Sequence, residues 1–196
     1  MRSGIFTSGR TGEACDDMSF IASIGLRKRI EQNRTRLYRM AYAWCYDAAT
    51  ADDLVQECLT RALQNLGKLR DHDRLEVWLY SILNNCWREH LRRRRPNDEF
   101  DEEKFVCDNC PETQSYQQEI VQRVRGAIAC LPMGQRKVVT LVDLEGFSYA
   151  EVAGILEIPI GTVMSRLSRA RTELQKRLAD ISPAQQEATP RLRRVK

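Results

Sequence analysis

The 196-residue sequence predicts an all-α protein of two small helical domains joined by a flexible acidic linker. Three observations carry this. Apolar residues recur at helical spacings of three, four and seven along both halves, and no stretch looks like a buried parallel strand. Charged residues make up 30% and aromatics 7%, a balance that suits helices with solvated faces better than a β-sandwich. A stretch of different composition, Pro96 to Glu119, divides the two patterned halves.

Residues 1–23 are rich in Gly, Ser and Thr, lack periodicity and read as a mobile leader. They contain no apolar core of a secretory signal, and no apolar run approaches the ~18 residues of a membrane helix. A cytoplasmic location without membrane insertion is expected. There the seven cysteines should be reduced thiols.

The first domain is expected over residues 24–95. Leu26, Ile30, Leu37, Ala41 and Trp44 mark its opening helices. Thr50-Ala51-Asp52-Asp53 fits a capping box for the next helix. That helix carries Leu54, Cys58, Leu59, Ala62 and Leu66 on one face, and Gly67 ends it. Lys68 to Arg74 is a short polar loop. Trp78, Leu79, Ile82, Leu83 and Cys86 then form an apolar stripe that leads into Arg92-Arg93-Arg94-Arg95, and Pro96 stops the helix.

The linker, residues 96–119, holds eight acidic residues (Asp98, Glu99, Asp101, Glu102, Glu103, Asp108, Glu112, Glu119) against Lys104, a net charge of −7. With so few apolar residues it cannot form a core. As a coil it would span roughly a few nanometres, so the two domains could reach separated sites on a large partner.

The second domain is expected over residues 120–180. A helix containing Ile120, Val124, Ala127 and Leu131 is broken by Pro132, and another runs from about Gln135 to Leu144, closed by Glu145-Gly146. Ser148-Tyr149-Ala150-Glu151 is a second capping box. It opens a short helix with Val152, Ala153, Ile155 and Leu156. After the turn at Glu157-Ile158-Pro159, a longer helix puts Val163, Leu167, Ala170, Leu174 and Leu178 on one stripe. Between Ile160 and Leu178 stand five basic residues and one acidic residue. Short helix, tight turn and longer basic helix is the arrangement that lays its second helix in a DNA major groove. Residues 181–196 form a basic tail.

Several side chains have two readings at this level. Asn84, Asn85, Arg88 and the terminal arginines lie on the side of their helix away from the apolar stripe. They suit base edges and phosphates, yet arginines there also complement the helix C-terminal dipole. Asp52, Asp53, Gln56 and Glu57 cluster near a helix start, where acidic residues are favoured in any case, or else form a protein-docking patch that repels DNA. Cys107-Asp108-Asn109-Cys110, with Cys86 and His90 one helical turn apart, offers four zinc-type ligands. However, Cys86 lies on the apolar stripe, and no metal or other cofactor is assigned. No Gly-rich phosphate loop and no nucleophile–base pair supports an enzyme.

Three segments together resemble bacterial sigma factors. Ala51-Asp52-Asp53-Leu54-Val55-Gln56-Glu57 resembles their core-polymerase-binding helix. Trp78-Leu79-Tyr80-Ser81-Ile82-Leu83-Asn84-Asn85, with Arg88 and the arginine run, resembles their promoter-melting, minus-ten-reading helix. Leu131-Pro132 with Gln135-Arg136, then Leu144 to Ala153, then Pro159-Ile160-Gly161-Thr162-Val163, Ser165-Arg166 and Ser168-Arg169-Ala170-Arg171, resembles the domain that reads the minus-thirty-five element. The likeness covers about Leu26 to Leu178, and its size is that of the extracytoplasmic function (ECF) group.

That resemblance implies a transcription initiation factor for a dedicated set of genes. Asp52, Asp53, Gln56 and Glu57 would meet the β′ clamp helices of core RNA polymerase, whose β flap is a further contact. Trp78, Asn84, Asn85, Arg88 and Arg92 would bind minus-ten DNA, with one base flipped into the Gly67–Arg74 loop. Thr162, Ser165, Arg166, Arg169 and Arg171 would bind the minus-thirty-five duplex. An anti-sigma factor is the expected regulator. The flipped-base loop has no aromatic, and Met164 stands where relatives often carry Lys. A sigma-like decoy that binds an anti-sigma protein is the rival, though it usually carries a receiver domain and none is evident here.

Overall fold

The computed structural model describes residues 24–69, 71–94 and 118–179, all of them in helices, turns and short connections. The expected leader, most of the linker including Cys107 and Cys110, and the basic tail lie outside the described residues.

Helix α1, residues 24–32, buries Leu26 and Ile30. It breaks at Asn33, whose amide nitrogen donates to the Arg29 carbonyl, and the chain continues as α2, Arg34–Cys45. Tyr46 closes α2 in the left-handed region (φ 52°), its N–H donating to the Tyr42 carbonyl. Helix α3, Ala48–Gln64, begins earlier than the Thr50 capping box predicted. Asp47 is the true cap: its carboxylate accepts the Thr50 N–H at 2.7 Å, so Thr50 is already inside the first turn.

Gly67 does not end α3. The helix stops at Gln64, and Gly67 lies within a 3₁₀ turn, Leu66–Lys68. A second 3₁₀ turn, His72–Arg74, leads directly into α4, Leu75–Arg94. The supposed polar loop is thus mostly helical turns, and α4 starts earlier than its apolar stripe suggested.

In the second half, α5 spans Gln118–Ala129 and α6 spans Met133–Val139. α6 widens into a π turn over Thr140–Leu144, and Gly146 (φ 79°) supplies the left-handed bend that follows. α7, Tyr149–Leu156, starts on the predicted capping box: Ser148 Oγ accepts the Glu151 N–H, while the Glu151 carboxylate accepts the Ser148 N–H at 2.8 Å. Glu157 (φ 56°) turns the chain into α8, Ile160–Arg177, with Val163, Leu167 and Ala170 buried.

The two domains do not stand apart. One apolar cluster runs from Leu26 to Ala170, with α4 seated on α7 and α2 on α5 and α6. The reason lies in α4, which is buried on more than its predicted stripe. Tyr80, Asn84, Trp87 and Leu91 are buried as well, whereas Trp78 and Ile82 are only partly so. Tyr80 meets Phe147 edge to face at 5.0 Å across the two halves.

The cysteines divide too. Cys45, Cys58 and Cys86 are buried, and burial pushes the Cys86 thiol up to about 11. Cys130, half-exposed just past α5, is disulfide-bonded, which corrects the expectation that every cysteine is reduced. Accessibility separates it from the three buried sulfurs.

Candidate nucleic-acid interface

Three polar faces carry the predicted residues. The first is on α3. Ala51, Leu54, Val55, Cys58 and Ala62 face the core, so Asp52, Asp53, Gln56 and Glu57 at i, i+1, i+4 and i+5 share the opposite side. All four are exposed. Asp52 lies 3.9 Å from Arg34, and Glu57 accepts from Arg61 at 2.6 Å. The structure therefore presents an open acidic strip.

The second face is on α4. Asn85, Arg88 and Arg92 are exposed and, with Arg61 and Glu89, line a cleft of about 520 Å³. Glu89 is the anion within it. It accepts from Arg61 at 2.7 Å and from Arg93 at 2.5 Å, and these guanidiniums hold its carboxyl below the usual carboxylate range. Sequence reasoning missed Arg61 and Glu89 because the pairing crosses from α3 to α4. Trp78 packs half-buried against the core instead of standing free.

Asn84 is not on the exposed side. It is 1% exposed, and its amide nitrogen donates to the Ile155 carbonyl at 3.2 Å. Its amide oxygen accepts from Lys137 Nζ at 2.8 Å. The physical reason is the packing of α7 on α4, which turns this flank of the helix into an interior. Arg88 reaches the same partner helix by donating to Glu157 at 3.1 Å.

The third face is on α8. Ser165 and Arg169 are exposed, and Thr162 is half-buried. Ser165 Oγ donates to the Thr162 carbonyl at 3.1 Å. Arg171 is held by Asp143 of the π turn through two donations, at 2.6 and 3.1 Å. Arg166 folds its guanidinium over Gly134 of α6: a Cβ on Gly134 would stand 2.9 Å from Arg166 Cζ. Of the five residues predicted here, Ser165, Arg169 and Arg171 are exposed, while Thr162 and Arg166 are half-buried. Met164 and Ile160 stand exposed beside them.

The junction between the halves is built by residues to which sequence reasoning gave no such role. Arg136 is fully buried. It donates to the Trp44 carbonyl at 2.6 Å, to the Leu131 carbonyl at 3.0 Å and to the Ala129 carbonyl. Trp44 Nε1 donates to Thr140 Oγ1 at 3.0 Å. Lys137, also fully buried, lies 5.4 Å from the Trp44 ring centroid. Arg36 donates to both Glu76 (2.6 Å) and Glu145 (3.0 Å) at the rim. The signal available in the sequence was slight: a charged Arg136-Lys137 pair at the start of a helix read as running from about Gln135 to Leu144.

No group of three or more metal-ligating side chains is found among the described residues, and no helix among them is long and apolar enough to cross a membrane. Cys86 is buried in the core, and the His90 ring stacks on Trp87.

Comparison with known proteins matches residues 29–96 to Sigma-70 region 2 and residues 122–174 to Sigma-70, region 4. The chain is 36% identical over 128 residues to the ECF RNA polymerase sigma factor EcfG of Rhodopseudomonas palustris, covering 65% of this chain and 71% of that protein. It is 37% identical over 148 residues to the RNA polymerase sigma-H factor of Pseudomonas aeruginosa, covering 69% and 77%. Among solved structures it resembles the sigma factor RpoE in complex with the anti-sigma factor NepR from Bartonella quintana. The TM-score is 0.65 at 28% identity, over 78% of this chain and 95% of that one.

Proposed function

The chain belongs to the sigma-70 family, in its ECF group, and from that premise we propose how its three polar faces divide the work of starting transcription. It is an initiation factor for RNA polymerase. The acidic strip of α3 docks on the β′ clamp helices, through Asp52, Asp53, Gln56 and Glu57. The α8 face, through Thr162, Ser165, Arg166, Arg169 and Arg171, engages the minus-thirty-five duplex. The α4 face, through Trp78, Asn85, Arg88 and Arg92, takes the unpaired minus-ten strand, and Asn84 joins it once the two halves part.

The observation that carries this reading is the exposed α3 strip backing onto the basic cleft of α4. A negative surface beside a positive one fits a protein partner on one side and a polyanion on the other. Negative charge on α3 also keeps DNA off the docking helix. The 3₁₀ turns around Gly67 and Arg74 offer exposed backbone and polar side chains for an extruded base. Extrusion costs about a few kcal/mol, offset by such contacts.

Nothing in these residues calls for catalysis by the chain itself, and its action is on the polymerase in the cytoplasm. An anti-sigma protein that clasps both halves is the regulator this reading favours, supported by the likeness to a sigma factor held in such a complex. Run-off transcription with core polymerase on genomic fragments tests the whole reading. Discrete transcripts that depend on the chain are expected; none on any fragment would reject it.

A further inference from the structure

We propose that the closed chain holds its minus-ten helix with an internal imitation of nucleic acid, and that Lys137 is the residue that keeps the imitation in place. This rests on the reading of α4 as the helix that takes unpaired DNA.

An asparagine reads adenine with its two amide atoms together: the nitrogen donates to N7 and the oxygen accepts from the N6 amine. In the structure Asn84 makes that same exchange with protein. Its nitrogen donates to the Ile155 carbonyl at the end of α7, and its oxygen accepts from Lys137 Nζ on α6. One acceptor and one donor stand where a base edge would stand. Four residues along α4, Arg88 meets the Glu157 carboxylate at 3.1 Å, an anion in the place of a phosphate. Both substitutes come from the same domain, the one bearing α8.

The arrangement has the properties of a competitor. Asn84 and Lys137 are sealed from water, so neither can keep its closed-state partner and also meet DNA. A dry amide is costly unless both its atoms are paired, so Asn84 exchanges one set of partners for another and does not simply lose one. Opening therefore trades like for like at this residue. The balance between closed and open forms is then set by whatever else engages the two domains. A partner that spreads them favours DNA, and a partner that clasps them favours the imitation. Arg36, paired with Glu76 of its own half, also reaches Glu145 across the same seam without touching Asn84.

A purely structural junction would use the same hydrogen bonds, so the test must read competition. Full-length protein is titrated against short fluorescent oligo(dA) and oligo(dT), with wild type, Lys137→Met and Glu157→Gln compared and solution scattering run in parallel. Lys137→Met removes a positive charge, which by itself weakens nucleic-acid binding. Tighter binding of oligo(dA) by about fivefold or more, with a smaller gain on oligo(dT), is the expected result in both variants. Glu157 is exposed, so its variant does not depend on a repacked interior. Adding Asn84→Ala to Glu157→Gln should abolish the oligo(dA) preference. If neither single variant tightens oligo(dA), or if the preference survives Asn84→Ala, the proposal is overturned. A separate arm keeps the underlying reading distinct. Loss of run-off transcription by the Asn84→Ala holoenzyme, with no tightening in the free-chain variants, rejects the imitation alone; an undiminished Asn84→Ala holoenzyme rejects the role of Asn84 itself.

Discussion

Two faces of the N-terminal half have opposite fates. The outer side of α3 leaves Asp52, Asp53, Gln56 and Glu57 open to solvent, whereas the inner flank of α4 gives Asn84 to the other half of the molecule. Both helices carry polar residues opposite an apolar stripe, so helical periodicity alone ranks them equally. What separates them is a second partner. α3 packs on its neighbours through one face, whereas α4 is claimed from two directions. The contrast teaches that a polar residue off the apolar stripe is exposed only if nothing else in the chain wants that side of the helix.

The largest test of this contrast is Arg136→Ala. Its guanidinium joins the end of α2 to carbonyls around the α5–α6 turn from a fully buried position. Removing it strands several acceptors away from water and is expected to cost about 3–5 kcal/mol of stability, read as a lower denaturant midpoint. A cost within about 0.5 kcal/mol would mean that the seam is not a real interior. The next effects belong to α8. Arg166→Ala and Arg169→Ala are each expected to weaken promoter binding by about 1–3 kcal/mol if they contact bases. Unchanged footprints upstream in both variants would break the assignment of that face.

Periodicity and caps made the local structure legible. The Ser148–Glu151 capping box and the Val163, Leu167, Ala170 stripe depend on residues within a turn or two of each other, and the chain follows them. The α3 strip was legible for the same reason. The α3 start was missed by a short step because two cap-capable residues, Asp47 and Thr50, lie three apart, and the carboxylate of the first claims the N–H of the second. Asn84 and Lys137 were illegible for a deeper reason. They are 53 positions apart, and each is an ordinary surface residue until α7 lies across α4. Nor could a local pattern tell that Arg166 would lie against Gly134, or that Arg171 would be tied to Asp143.

The open face can be sharpened separately. Asp53→Arg reverses one charge in the middle of the α3 strip without touching the core. Holoenzyme formation should weaken by about tenfold, with DNA binding by the α8 face intact, as measured by core-polymerase titration beside a duplex-binding assay. Equal core affinity for variant and wild type would remove the docking role from α3. Raised salt should narrow the gap between the two proteins, because exposed charges are screened.

The smallest expected effect distinguishes two neighbours on α4 by pH. Glu89, held by Arg61 and then Arg93, has its carboxyl below the ordinary value of 4.5. Its share of stability is present above that value and lost as pH falls through the lower, folded-state value. His90, by contrast, is disfavoured as a cation, first by burial and then by Arg94. It stacks on Trp87, with Nε2 buried and unpaired among the described residues. Its folded-state pKa lies below the ordinary 6.5, so the unfolded chain takes up a proton first as pH drops. Stability should therefore begin to fall as pH passes below 6.5, well before Glu89 contributes any loss. Urea midpoints compared at about pH 7.5 and about pH 5.5 should show a decline in wild type that is smaller in His90→Gln. An identical decline in the two proteins would place the proton elsewhere and leave His90 as a packing residue alone.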